Sequence, residues 1–146
     1  MNYSDEFVEA IRLAAGRRIG PFEMPWPMPG NLGAIVSFDT FDNWERFLRR
    51  LDLHAGIPDT VAAKFIRAQK LYLLGWVDAD LIKAGELVSL TALELALIDR
   101  YAPQAEKIYK SRTLARLLRY MVEYDGLTND RVAMNQRCGA GEVFTR

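Results

Sequence analysis

The chain has 146 residues, half of them hydrophobic, with 19 basic and 19 acidic side chains and a formal charge near zero. That length suits one domain with a real core, and the charge balance argues against a protein held to nucleic acid or membrane by bulk electrostatics. Cys138 is the only cysteine, which excludes an internal disulfide and makes a reducing cytoplasm the expected compartment.

His54 is the only histidine, so the usual Cys and His zinc ligands cannot be assembled within one chain; no metal and no cofactor is expected. Met1 to Ala10 is acidic and no apolar run follows, so neither a leader nor a membrane anchor is expected.

Asp5 to Ala15 reads as a short amphipathic helix with Phe7, Val8, Ile11 and Ala14 or Ala15 on one side, closed by Gly16. Gly20 to Gly30 carries four prolines, which exclude a helix interior and a central strand. The expectation is an extended strap in which Met24, Trp26 and Met28 cover the protein's own core or a partner subunit. Asn31 to Phe38 is either a single strand or a buried extended segment, and a lone strand needs a partner.

Asp39 or Thr40 caps a helix to about Leu53, with Trp44, Phe47, Leu48 and Leu51 recurring on one face before Gly56 ends it. Pro58 opens the next helix, whose Val61, Phe65, Ala68, Leu71 and Tyr72 face inward until Gly75. Trp76 marks a corner. Asp78 to Tyr101 then reads as one long core helix, because its apolar residues cover most of the circumference while Lys83, Glu86, Glu94 and Asp99 exclude a membrane span. Asp78 caps it, and Pro103 is expected to stop it. Gln104 to Lys110 is a mostly polar turn or two. Thr113 to Tyr124 is a clean amphipathic helix with Leu114, Leu117, Leu118, Met121 and Val122 inward, stopped by Asp125-Gly126. Asn129 to Arg137 is a weak final helix.

The fold expected is mainly α: a single-domain helical bundle over 1–146 around one long buried helix, Ala79 to Arg100. It divides into an N-terminal helix and Pro-rich strap over 1–38, a bundle over 39–137 and a tail over 138–146.

Few constellations carry chemistry. Glu94, between Leu93 and Leu95, is either a general acid or base with a pKa raised by desolvation or a structural acid that accepts from an arginine or a helix N-terminus. Lys107, Lys110, Arg112, Arg116 and Arg119 form the sharpest basic cluster. The three arginines share one helix face, which either grips successive phosphates beside a stacking Tyr109 or Tyr120 or is the wet side of an amphipathic helix. Arg49 and His54 either support RNA cleavage, the histidine moving a proton while the arginine holds phosphate, or the histidine caps a helix end. Walker, GxSxG, HExxH and CxxC motifs are missing.

From Ser37 to Tyr101 the chain resembles uncharacterised bacterial helical proteins in which an RAxxLYxxGW helix, here Arg67 to Trp76, precedes an ELVxLxALELAL helix, here Glu86 to Leu97. These look like distant relatives of HEPN-type domains. The resemblance implies packed antiparallel helices, dimerisation and, in active members, metal-independent RNA cleavage through an arginine followed closely by a histidine near the last helices. Here Arg49 and His54 have that spacing but lie early, and no histidine follows Arg131. The expected function is therefore a non-catalytic, dimeric interaction or regulatory module. The alternative is an HEPN-like RNA-binding protein or RNase of a bacterial defence or toxin-antitoxin system.

Overall fold

The structure, a computed structural model, describes residues 3–16, 20–26, 28, 31 and 33–131. The expectations for residues 132–137, for the tail from Cys138 on, and for Pro27, Pro29 and Gly30 lie outside these. The described chain is mainly helical, with five α-helices and a two-stranded sheet.

Capping side chains set two of the helix starts. Ser4 accepts from the Phe7 N–H at 3.3 Å and begins α1 (Asp5–Ala15), while Thr40 accepts from the Asn43 N–H at 3.3 Å and begins α2 (Phe41–Arg49). Each such cap is worth about 1 kcal/mol, because it satisfies an N–H that the helix leaves unpaired. Pro58 stands at the N-cap of α3 (Asp59–Leu74). The long helix α4 spans Leu81–Tyr109, and α5 spans Leu114–Glu123. A single 3-10 turn, Asn129–Arg131, stands where the weak last helix was expected.

Two expectations about the backbone are corrected. Pro103 lies inside α4 rather than at its end; the ring forfeits one i to i−4 hydrogen bond, but the helix continues and absorbs the polar turn Gln104–Tyr109. Its end comes at Lys110, whose φ of 52° is left-handed and whose N–H donates to the Glu106 carbonyl at 3.0 Å. The strap, in turn, is not merely extended. Its segment Phe22–Pro25 is strand β1, paired with β2 (Ile35–Phe38), and Trp26 N–H donating to the Ala34 carbonyl at 2.8 Å continues the ladder. A two-stranded sheet has only edge strands, which is where proline is tolerated.

By its contacts the described chain clusters into two compact units, the first formed by the chain up to Phe22 with Ser37–Ala96 and the second by Glu23–Val36 with the residues from Leu97 on. In the first unit the core is aromatic. Trp44 on α2 is fully buried, with Phe22 at 4.9 Å, Phe38 at 5.0 Å and Phe47 stacked at 5.7 Å between ring centroids; Trp76 lies 6.0 Å from both Phe22 and Phe41. Burying such rings contributes about 1.5–3 kcal/mol each, with about 0.5–1.5 kcal/mol more per aromatic pair. The Trp44 indole donates to the Tyr72 carbonyl at 3.0 Å. Buried Gln69 donates to the Leu51 carbonyl at 2.6 Å and so ties α3 to the end of α2. In the second unit Leu97, Tyr101 and Ala105 of α4 pack with Leu117 of α5, flanked by Leu114, Leu118 and Met121.

Candidate interaction surface

The face of α4 toward α3 is built for close approach. Gly85 is buried, and a Cβ there would meet the Tyr72 ring at 3.1 Å; a Cβ on Gly75 would meet the Ile82 side chain at 2.3 Å. The Tyr72 hydroxyl lies 3.3 Å from Ser89 Oγ. Ala92 is buried on the same side.

The opposite face of this long core helix leaves three of its leucines open. Leu87 is 68% exposed, Leu90 49% and Leu93 41%. Lys83, Leu87, Leu90 and Glu94 recur at i, i+4, i+7 and i+11, so on a helix turning about 100° per residue they fall within about 60° of one another. This is the seam spacing by which two helices pair. Covering a leucine fully is worth about 1.5–3 kcal/mol, so a row of them facing water is an unspent driving force for association.

Glu94 is half-buried on this face, and no hydrogen bond or ion pair holds it among the described residues. Lys83 is exposed and likewise has no ion pair among them. Among the described residues Glu94 therefore accepts from neither an arginine nor a helix N-terminus, and it is only half-buried.

The other candidates are engaged separately. Arg49 donates to Glu45 Oε1 at 2.8 and 2.5 Å and lies over the Tyr3 ring at 5.3 Å. Exposed His54 accepts the Gly56 N–H at its Nδ1, at 3.1 Å, which is a local turn contact. No contact joins Arg49 to His54 among the described residues. Sequence reading missed Glu45, the buried acid that sits between Arg49 and Arg12, the latter at 3.7 Å; its i, i+4 spacing to Arg49 was the available signal. Asp5, Glu6, Glu9, Arg12 and Leu13 line an open depression beside this network. There Arg12 is already held by Asp42 at 2.9 Å and by Glu9 at 2.6 Å.

Two of the five residues in the basic cluster of the second unit are paired with its own acids. Arg112 pairs with Glu106, and Arg119 with Glu123 at 2.6 Å. Arg116 lies over the Tyr109 ring at 5.4 Å, and the Tyr109 hydroxyl donates to Glu123 at 2.5 Å. That hydrogen bond raises the Tyr109 pKa to about 12, and together with Arg119 it lowers that of Glu123. Lys107 and Lys110 have no ion pair among the described residues.

Among the described residues no group of three or more His, Cys, Asp and Glu side chains is placed to hold a metal ion, and no helix is long and apolar enough to cross a membrane. Comparison with family models, with curated proteins and with solved structures finds no match to the chain.

Proposed function

We propose that the protein is a non-catalytic interaction or regulatory module of the cytoplasm that docks another protein surface through the outward face of α4. One observation carries this reading: Leu87, Leu90 and Leu93 stand exposed along a helix whose other face is packed. Exposed single leucines are ordinary, but two at seam spacing with a third at their edge are a recognition pattern for a partner helix. Arg49, His54 and Glu94 have unrelated surroundings, which supports a binding role over a catalytic one. A photo-crosslinking amino acid placed at Leu90 in cells that make the protein tests this. The reading expects a discrete adduct that disappears with Leu87→Lys, and none from the isolated exposed position Leu13. Absence of any Leu90 adduct contradicts it.

A second reading, RNA binding by an HEPN-like domain, draws on the second unit. Tyr124 is 57% exposed and stacked on Tyr120 at 5.0 Å, close to arginines that include Arg119. Exposed aromatic rings beside guanidinium groups are how single strands are gripped. This reading expects affinity for labelled single-stranded RNA that falls steeply with salt and weakens with Tyr124→Ala. RNA binding that is absent at low salt contradicts it.

A further inference from the structure

Resting on the docking role of α4, we infer that its occupant is a second copy of this chain, packed antiparallel about a two-fold axis that crosses α4 between Val88 and Ser89. The seam reads Lys83, Leu87, Leu90, Glu94. Turned end for end about that axis, Leu87 of one copy meets Leu90 of the other, and Lys83 meets Glu94, twice over. An isologous contact requires this kind of self-complementarity. A parallel pairing in register would instead set Lys83 against Lys83 and Glu94 against Glu94. The charge order therefore selects the antiparallel arrangement, as flanking charges set orientation in paired helices. In the antiparallel arrangement the edge residues Glu86 and Leu93 face each other, so no like charges are opposed.

The single chain leaves both ends of this pattern open. Neither Lys83 nor Glu94 has an ion-pair partner among the described residues, although each of Arg12, Arg49, Arg112 and Arg119 has found an acid. Two leucine layers cover little area, so the dimer is weak and forms with rising concentration rather than obligately.

The test is sedimentation velocity on the full chain, at low salt and over a range of concentrations, with two single variants, Lys83→Glu and Glu94→Lys. Lys83 is exposed and Glu94 half-buried, so circular dichroism is used to check that both variants fold. The wild type is expected to shift from monomer to dimer, and each variant alone to lose association by about tenfold or more. An equimolar mixture of the two variants should recover it, because in the mixed pair both ends again join opposite charges. A wild type that dimerises while the mixture fails to recover overturns the antiparallel register. A wild type that stays monomeric, while the Leu90 cross-linker gives a discrete adduct of some mass other than twice the chain, overturns the second copy and leaves the docking role standing. No association together with no adduct overturns both.

Discussion

Lys110 closes α4 in a conformation that a side chain resists. At a φ of 52° its Cβ crowds the backbone, at a cost of about 1 kcal/mol that glycine does not incur. Lys110→Gly is therefore expected to raise the unfolding free energy by about 1 kcal/mol in denaturant titration. The Tyr109 and Glu123 pair makes a pH prediction whose sign follows from the proton positions. Hydrogen bonding to the Glu123 carboxylate raises the Tyr109 pKa from 10.0 to about 12, so its contribution is complete below pH 10 and is lost as pH climbs toward 12. The Glu123 pKa is lowered from 4.5, first by Tyr109 and then by Arg119, so its contribution is present above that value and fades as pH falls. Ultraviolet titration of the phenolate, with Tyr109→Phe as the blank, should place Tyr109 near 12. Glu123→Gln should bring it back toward 10.

At the scale of elements, α3 and α4 meet through glycine. A Cβ at Gly75 would sit 2.3 Å from Ile82 Cδ1 and 2.9 Å from the Tyr72 carbonyl oxygen. The side-chain end can swing away, but the backbone oxygen cannot. Gly75→Ala is accordingly expected to destabilise the fold by about 1–3 kcal/mol, read as a lower midpoint in chemical denaturation. Local signals made some elements legible and left others hidden. The limits of α1 follow from hydrophobic spacing and the closing glycine, and they match the structure. Thr40 caps α2 as its spacing to the apolar face implies, but the helix stops at Arg49, short of Leu53; the Leu51 carbonyl beyond it accepts from Gln69, a tertiary bond that local propensity cannot express. Pro103 reads as a stop because it lacks an N–H, yet packing of Tyr101 and Ala105 against Leu117 on either side holds the helix through it. The pairing of β1 with β2 was hidden by the prolines.

For the whole molecule the chain reads as mainly α, and the structure is mainly α, because apolar periodicity reports helix directly. The candidate surface was legible in part. An apolar circumference shows that α4 wants cover on every side, but it cannot show whether its own chain or another supplies that cover. The structure answers for Gly85 and Ala92 and leaves Leu87, Leu90 and Leu93 facing water. One pair that the sequence offered for chemistry, by contrast, falls into separate contacts: Arg49 is occupied with Glu45, and His54 with its own turn. Sedimentation of the wild type against Leu87→Lys/Leu90→Lys, with thermal melting in parallel, bears most directly on the role given to α4. The account predicts that the double variant melts within a few degrees of the wild type while its self-association disappears. A double variant that unfolds would show that those leucines serve the interior of the chain, and one that folds and associates as the wild type does would show that the contact lies elsewhere; either contradicts the account.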